Sequence, residues 1–320
     1  MLAGVSGNST SMTSHVMVFA PVPQLTITIE QEADAVELHV HPGGQGVWQA
    51  RMIISLGVPV TLCACLGGEV GGVLGPLIAA EGVELRSVPR PTPSGWYVHD
   101  RRDGERVEIA QNPGEPLARH ELDELYSLAL AEGLQAEISV LSGPADPSVV
   151  PPDVYRRLAA DLTSNGARVV ADLSGEHLTA VLAGGVSFLK VSHEELVDDG
   201  RADDDDVDAL IEAMRKLQTE GAQSLIVTRA EEPSLALLEG DLVEVALPRL
   251  EATDTRGAGD SMTAGVSAVL ARGGDLTAAV RTGAAAGALN VTRHGLGSGR
   301  ADAIAELVKR VRIDPMDAEM

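Results

Sequence analysis

The residues best suited to chemistry stand in the run Asp254-Thr255-Arg256-Gly257-Ala258-Gly259-Asp260-Ser261. Two glycines flank an alanine, so the backbone can turn sharply and its N–H groups can approach a ligand closely. Apolar residues then recur at helical spacing over 262–272, and Gly273-Gly274 predicts the end of that helix. The turn is therefore predicted at a helix N-terminus, where free N–H groups and the helix dipole favour an anion such as a phosphate.

Asp260 needs its own explanation, because a carboxylate repels that anion. A carboxylate at this position is useful if it accepts a proton from an attacking hydroxyl while the turn holds the transferring phosphoryl group. The alternative is a glycine-rich turn in which Asp260 is an ordinary first-turn residue. The longer pattern Asp-Thr-x-Gly-Ala-Gly-Asp resembles the signature of the ribokinase-like (PfkB) carbohydrate kinases. That resemblance implies that Asp260 is the catalytic base and that Gly257, Ala258 and Gly259 form the anion hole, with Arg256 adding positive charge.

A second glycine-rich turn, Pro42-Gly43-Gly44-Gln45-Gly46, lies between a predicted strand and a predicted helix. It is either a sugar-binding loop or a plain connection, and it does not match the dinucleotide pattern Gly-x-Gly-x-x-Gly. The stretch is similar to Gly-Gly-Lys-Gly-x-Asn-x-Ala-Arg of the phosphosugar branch of the same family, the 1-phosphofructokinases and tagatose-6-phosphate kinases. Gln45 replaces the Lys of that pattern, and Trp48 replaces the Asn.

The same resemblance implies the substrate contacts. The family motif Asn-Pro-x-x-Asp, whose Asp holds sugar hydroxyls, has Gln24 at the Asp position. A glutamine still donates and accepts hydrogen bonds but carries no charge. Trp48 either stacks on a ring or packs as a partly buried side chain. The implied substrate-binding residues are Gln24, Gly43, Gly44, Gln45 and Trp48.

The nucleotide and metal contacts are also implied by resemblance. The family sequence Lys-Pro-Asn-x-x-Glu is matched at Lys190 and Glu195, with Ser192 in place of the Asn. The expected cofactors are ATP and Mg²⁺, the metal reaching Glu195 through water. The plain alternative for Glu195 is an acidic first turn of a helix. Thr228 is expected near the nucleotide phosphates and Asn290 near the base, beside an Ala/Gly-rich helix whose small residues also suit core packing.

The elements that must position these residues alternate from residue 115 onward. Helices are predicted at 116–133, 153–165 and 175–183, and near-continuous apolar strands at 138–142, 168–173 and 186–191. This alternation predicts a parallel sheet covered on both faces. We therefore expect a three-layer α/β/α ribokinase-like fold, with ligands at the carboxyl ends of the strands.

Four other predicted strands alternate apolar and polar residues, so one face of each is expected to be exposed to solvent. They cover 25–30, 35–41, 94–100 and 106–111, and Asp103-Gly104 marks a hairpin between the last two. They are expected to form a small β-sheet lid from about 21–42 and 91–111, which is a possible homodimer surface. The rest of 16–320 is expected to be one kinase domain, after a disordered leader at 1–15.

The sequence does not decide whether the phosphoryl acceptor is a sugar or a sugar phosphate. The phosphosugar branch carries a basic residue on the first hairpin strand, whereas this chain has Trp96, Tyr97 and His99 there. Arg101, Arg102 and Arg106 follow in a mixed-charge turn, which favours a solvated loop. This pattern weakens the expectation of a phosphorylated acceptor.

Composition excludes several classes of function. The formal net charge of −23 argues against a nucleic-acid or anionic-membrane surface. No apolar run approaches the ~20 residues of a membrane span. Cys63 and Cys65 alternate along a predicted buried strand, which is typical of a reduced cytoplasmic protein. The run Asp203–Asp206 is interpreted as a solvated helix start rather than a metal site.

The sequence therefore predicts an ATP-dependent kinase that phosphorylates a hydroxyl of a sugar or sugar phosphate. One alternative is a kinase fold that binds ligands without efficient chemistry. Another is a nucleoside kinase in which Trp48 or Trp96 stacks on a base. A P-loop nucleotide hydrolase is excluded, because Gly-x4-Gly-Lys-Ser/Thr does not occur.

Overall fold

The alternation of helices and strands continues through most of the chain in the computed structural model, which describes residues 14–316 except 33–34, 248–249, 252, 254 and 293–295. The predicted leader lies outside the described residues up to position 13. The strands are β1 (Val16–Phe19), β2 (Gln24–Glu32), β3 (Ala35–Gly43), β4 (Val60–Gly67), β5 (Glu84–Arg90), β6 (Trp96–Asp100), β7 (Val107–Asn112), β8 (Ile138–Ser142), β9 (Arg168–Asp172), β10 (Val186–Ser192), β11 (Ala222–Arg229), β12 (Glu232–Leu238), β13 (Asp241–Ala246) and β14 (Arg312–Pro315). The helices are α1 (Gln45–Ser55), α2 (Gly68–Ala80), α3 (Arg119–Gly133), α4 (Pro152–Ser164), α5 (Gly175–Gly184), α6 (His193–Asp198), α7 (Val207–Glu220), α8 (Ala258–Ala271), α9 (Leu276–Asn290) and α10 (Ala301–Val308).

The large sheet has the order β14-β13-β12-β11-β10-β9-β8-β1-β4-β5. The strands from β11 to β5 pair in parallel, and β12, β13 and β14 extend the sheet in antiparallel register. Parallel pairing brings the carboxyl ends of β8, β9 and β10 to one edge of the sheet. The ends of these three strands are therefore the natural place for a ligand.

Each face of the sheet is covered by its own apolar layer. Along β1, Val16 and Val18 pack with α1, α2, α8, α9 and α10, whereas Met17 and Phe19 pack with α3, α4, α5 and α7. This alternation follows from the opposite directions of successive strand side chains. The expected three-layer α/β/α arrangement is confirmed.

A separate four-stranded sheet has the order β3-β2-β6-β7. Its side chains divide into a polar face, on which Thr26 and Thr28 pair with His41 and His39, and an apolar face that includes Leu38. One residue, Gly44, separates the end of β3 from the start of α1, and its φ of 99° is open chiefly to glycine. The small sheet is thus joined directly to the second glycine-rich turn.

Some element boundaries differ from the sequence prediction for local reasons. Helix α3 begins at Arg119 rather than at 116, because the Glu121 carboxylate accepts the Ala118 N–H at the helix start. Helix α7 begins at Val207 rather than at 205, since the Asp204 carboxylate holds the Asp206 N–H in a turn. His15, which was assigned to the leader, bonds through its ring to Thr61 Oγ1 at 2.8 Å. Helix α10 and strand β14 are short and were not predicted from the sequence.

Both cysteines are buried free thiols on β4. Burial raises the pKa of Cys63 and of Cys65 to about 12, so neither is poised to react. The cytoplasmic location expected from these residues stays a prediction. Within the described ranges, no helix combines the length and apolar character needed to cross a membrane.

The Ala/Gly-rich helix α9 packs closely along α8. A Cβ at Gly265 on α8 would lie 2.7 Å from the Gly283 Cα on α9, and a Cβ at Gly283 would lie 2.7 Å from the Met262 carbonyl oxygen. The small residues therefore allow two helix backbones to touch. This contact fixes the position of α8, whose first turn carries Asp260.

We expect Gly265→Ala to lower the free energy of unfolding by about 1–3 kcal/mol, because the new methyl group overlaps the backbone of α9. The matched control is Gly72→Ala on α2, where a Cβ meets nothing within 4 Å. That control should be neutral or stabilising by up to about 1 kcal/mol. Urea unfolding of both variants decides: equal effects would contradict the close α8–α9 contact.

Candidate active site

The first turn of α8 has the geometry of an anion site. Gly257 is its N-cap residue with a left-handed φ of 69°, which glycine adopts without strain. A Cβ at Gly259 would lie 2.6 Å from the Lys190 Nζ, so the backbone of the turn rests on a buried ammonium group. Asp260 follows and is 8% exposed. Asp254 of the same motif lies outside the described residues.

Lys190 is the centre of a charged cluster at the ends of β9 and β10. Its Nζ donates to Asp172 Oδ1 at 3.1 Å and lies 3.8 Å from Glu195 Oε2. Burial acts to lower the pKa of Lys190, but the charges of Asp172, Glu195 and Asp260 outweigh it and raise that pKa above its ordinary value. Three carboxyl groups thus share one ammonium group, and the cluster has an excess of negative charge.

Asp172 is the buried acid of this cluster. It is 1% exposed and accepts hydrogen bonds from Gln49 Nε2 at 3.1 Å and from Thr263 Oγ1 at 2.9 Å. Burial is the main cause that raises its pKa, with Lys190 acting in the opposite direction. Its site is therefore well supplied with hydrogen bonds although it is shielded from solvent.

Asp260 shares its surroundings with this acid. Its Oδ1 lies 3.5 Å from Gln49 Nε2, and the side chain of Gln45 also donates to it. Burial, then the charge of Asp172, raises the pKa of Asp260 to about 8, against the opposing effect of Lys190. An ordinary aspartate needs no help to ionise at neutral pH. This one titrates near neutrality, which sequence reasoning did not predict.

A cavity of about 320 Å³ opens beside this cluster. Four of the five predicted substrate-binding residues line it, and Gly43 lies next to them at the end of β3. The remaining lining comes from the ends of β8 and β9, α5 and α6. The residues at the cavity wall are Gln24, Gly44, Gln45, Trp48, Gly143, Pro144, Ala145, Pro147, Asp172, Leu173, Ser174, His177 and Glu195.

A second cavity, of about 220 Å³, lies on the polar face of the small sheet and meets the first at Trp48. We call it the lid cavity. Arg101 and Arg106 line it, although the sequence indicated a solvated turn for both, whereas Arg102 lies outside it and pairs with Asp100. Its complete lining is Thr26, Thr28, Glu30, His39, His41, Pro42, Trp48, Arg51, Tyr97, His99, Arg101, Arg106 and Leu296.

The lid cavity has a positive electrostatic environment. His99 is 3% exposed, and its pKa is lowered to about 4, first by burial and then by Arg106, Arg101 and Arg256. The Arg106 guanidinium also lies 5.0 Å from the Tyr97 ring centroid. These charges disfavour a further proton, and by the same physics they favour an anion.

The predicted nucleotide contacts are spread around the start of α8. Ser192 and Glu195 form the capping box of α6, in which each side chain accepts a backbone N–H of the other. Asn290 is fully buried, donates to the Arg256 carbonyl oxygen at 2.6 Å and accepts the Gly297 N–H at 3.0 Å. It therefore braces the glycine turn here, and its contact with a base stays a prediction.

Thr228 is the second-last residue of β11, and Ala230, two residues later, has a left-handed φ of 48°, where a glycine would be unstrained. Arg256 is exposed at the mouth of the turn. Both remain predicted contacts to the nucleotide.

Two residues of the site were not assigned a role from the sequence: Gln49, which contacts Asp260, and Asp172, which contacts Lys190. Gln49 is fully buried on α1, where it interrupts the apolar face of the helix, and that interruption was the available signal. Asp172 stands at the carboxyl end of a predicted strand, where ligands were expected, but no individual role was assigned to it. A buried strand that finishes in a carboxylate was the available signal there.

A scan against family profiles matches residues 16–303 to the pfkB family carbohydrate kinases. The chain is 30% identical over 258 residues to the ATP-dependent 6-phosphofructokinase isozyme 2 of Escherichia coli (strain K12), covering 79% of this chain and 82% of that protein. It is 26% identical over 260 residues to the 1-phosphofructokinase of Bacillus subtilis (strain 168), covering 81% and 84%.

A solved structure gives the same result. The phosphofructokinase-2 of Escherichia coli in complex with fructose-6-phosphate superimposes with a TM-score of 0.79 at 26% identity, over 92% of this chain and 98% of that chain. The family match spans both glycine-rich turns and the charged cluster between them. The chain is a member of the pfkB family of carbohydrate kinases.

Proposed function

We propose that the protein transfers the terminal phosphoryl group of ATP to a hydroxyl of a sugar phosphate, with Asp260 as the general base. The observation that carries this proposal is the position of Asp260 in the first turn of α8, directly after a glycine turn that rests on the Lys190 ammonium. An acceptor for a proton and a site for an anion are thereby adjacent, which phosphoryl transfer requires.

In the proposed reaction, the acceptor binds in the 320 Å³ cavity that Gln24, Gln45 and Trp48 line, and its hydroxyl is directed past Gln45 toward Asp260. Its oxygen attacks the terminal phosphorus as Asp260 takes its proton, and the bond from phosphorus to the ADP oxygen breaks. The N–H groups of Gly257, Ala258 and Gly259 stabilise the charge on the transferring phosphoryl. Lys190 adds a fixed positive charge beneath them.

The surplus of carboxyl groups over ammonium groups in the cluster favours a metal cation, which would accompany the negatively charged nucleotide. The described residues contain no group of three or more His, Cys, Asp or Glu placed to hold a metal ion by themselves. Glu195 is a partly exposed carboxylate near Lys190, and oxygen ligands suit Mg²⁺, which usually keeps several waters. We infer that Glu195 holds Mg²⁺ through water. The ion would neutralise charge on the ATP phosphates, and Arg256 and Thr228 would contact those phosphates.

The lid cavity supports a phosphorylated acceptor. It supplies Arg101, Arg106 and three histidines next to the acceptor cavity, and Trp48 contributes to both. A phosphate group on the acceptor would add negative charge where Arg106 and Arg101 already lower the pKa of His99. The Escherichia coli relative has been solved with fructose-6-phosphate, which is a molecule of this class. A nucleoside acceptor lacks the anion, and a pure binding protein has no use for Asp260.

The apolar face of the small sheet supports a homodimer formed through this lid. Leu38 is 64% exposed and Val36 is 60% exposed, with exposed Val40 on the same strand and exposed Val107 and Ile109 on β7 at the opposite edge of the sheet. Contiguous exposed apolar residues mark an interaction surface more often than a solvated one. We propose that the second copy of the chain covers it.

We expect Asp260→Asn to reduce turnover by roughly 10²–10⁴-fold, because the amide cannot accept the hydroxyl proton. Binding of ATP should change little, since the glycine turn and Lys190 remain. Steady-state ADP release and calorimetric ATP titration measure the two quantities. Asp275→Asn is the control. Asp275 is the N-cap residue of α9, and aspartate and asparagine cap a helix about equally well. Turnover near the unmodified rate in Asp260→Asn would exclude Asp260 as the base.

We expect Arg106→Gln to raise KM for a phosphorylated acceptor by about 10-fold or more, the size expected for a lost hydrogen bond to a charged group. The value of kcat should change little, and KM for an unphosphorylated sugar should not change. Arg102→Gln on the same hairpin is the control, because Arg102 pairs with Asp100 outside the cavity. Equal KM values for both variants with fructose 1- and 6-phosphates and tagatose 6-phosphate would argue for an acceptor without a phosphate.

We expect Leu38→Lys to convert a dimer into a monomer in sedimentation velocity runs, because a charge at the centre of the apolar face opposes its burial. Val73→Lys on α2, where the valine is 45% exposed, controls for the added charge. A dimer that survives Leu38→Lys would place the subunit contact elsewhere.

A further inference from the structure

Two glutamines one turn apart on α1 converge on the proposed base. Gln45 and Gln49 are spaced i and i+4, so their side chains leave the same face of the helix. Gln49 Nε2 lies 3.1 Å from Asp172 Oδ2 and 3.5 Å from Asp260 Oδ1. Gln45 also hydrogen-bonds to Asp260. Both amides therefore reach the same carboxylate from one helix.

The end of β8 fixes the orientation of each amide. The Gly143 N–H donates to Gln45 Oε1 at 2.6 Å, and the Ser142 hydroxyl donates to Gln49 Oε1. With both carbonyl oxygens occupied, only the NH₂ groups remain for Asp260, and a carboxylate can accept from them. A flipped amide would point its oxygen at two carboxylates and would lose its donor at β8.

We propose that Gln45 and Gln49 form an amide clamp that positions Asp260 and favours its ionised form, leaving one carboxylate oxygen to the acceptor hydroxyl. The inference rests on the proposed role of Asp260 as the base. The clamp consists of positioning residues, since both glutamines act on the reaction through Asp260. Its anchors are Ser142 and Gly143, at the carboxyl end of β8, where the sheet topology favours a ligand site.

The amide clamp opposes the effect of burial and of two neighbouring carboxyl groups on the pKa of Asp260. Asp172 and Glu195 face Asp260 from β9 and α6 and oppose its ionisation, whereas Lys190 on β10 favours it. Burial opposes ionisation most strongly. Hydrogen bonds to the charged form are the remaining favourable contribution, and neutral amides supply them without a second buried cation. Removing a donor should therefore raise the pKa of Asp260, and adding a cation should lower it.

The test uses Gln49→Met, Ser142→Ala and Gln45→Lys in the full-length protein. Difference infrared spectra against Asp260→Asn follow the protonated carboxyl group of residue 260 as pH rises, with no acceptor present. We expect the midpoint to rise by about one pH unit in Gln49→Met, the size of one lost hydrogen bond to a charged group. Ser142→Ala should move it in the same direction by less, and Gln45→Lys should move it to lower pH.

The matched control is Ser139→Ala, another buried serine on β8, whose hydroxyl bonds to the Gly133 carbonyl oxygen. It should leave the midpoint unchanged. The acid limb of kcat/KM should shift with the infrared midpoint in each variant, because activity requires ionised Asp260 and is lost as pH falls through its pKa.

Identical midpoints in the unmodified protein and all three variants would overturn the clamp, whatever the rate of turnover. If Gln49→Met fails to fold, Ser142→Ala and Gln45→Lys must still move the midpoint in opposite directions. If the midpoints move as expected while no acceptor is phosphorylated, the clamp stands and the kinase proposal fails. The two proposals can therefore be separated by one set of proteins.

Discussion

The structure depends on one buried ammonium group. Lys190 lies against the glycine turn at the start of α8, donates to Asp172 and faces Glu195 and Asp260. Without it, Asp172 and Asp260 would lie close together away from solvent, beside the partly exposed Glu195, at a cost of several kcal/mol per unpaired buried ion. With it, the turn can approach an anion and the base can still ionise. The parallel order of β9 and β10 brings these charges to one edge of the sheet.

Much of the fold could be predicted from the sequence because its signals are local. Apolar strands alternate with helices over most of the chain, and Gly273-Gly274 marks the end of α8. The Asp-Gly turn predicted the hairpin of β6 and β7, although a bulge shifts its register. The strands with one solvent-exposed face, β2, β3, β6 and β7, predicted a second sheet outside the main one. The boundaries that moved, at α3 and α7, depend on single side-chain bonds at helix starts that no periodic pattern reports.

The candidate site was only partly predictable, because its contacts join distant positions. Gln49 meets Asp260 across 211 residues and Asp172 across 123. No sequence spacing carries that information, and the family pattern leaves position 49 unspecified. The pKa of Asp260 depends on the same long-range contacts. Similarly, the sequence indicated a solvated turn for Arg101 and Arg106. In the structure, both line the lid cavity together with His99, on the polar face of the small sheet.

The single glycine between β3 and α1 has a mechanical consequence. Residues up to 43 are fixed in the lid by pairing with β2, and Gln45 begins the helix whose side chains hold the base. Only the two backbone dihedral angles of Gly44 lie between them. Any change in the angle of the lid must be absorbed there or transmitted to the first turn of α1. The sheet proposed to cover the acceptor and the helix proposed to orient Asp260 thus share one hinge, with a single residue of chain between them.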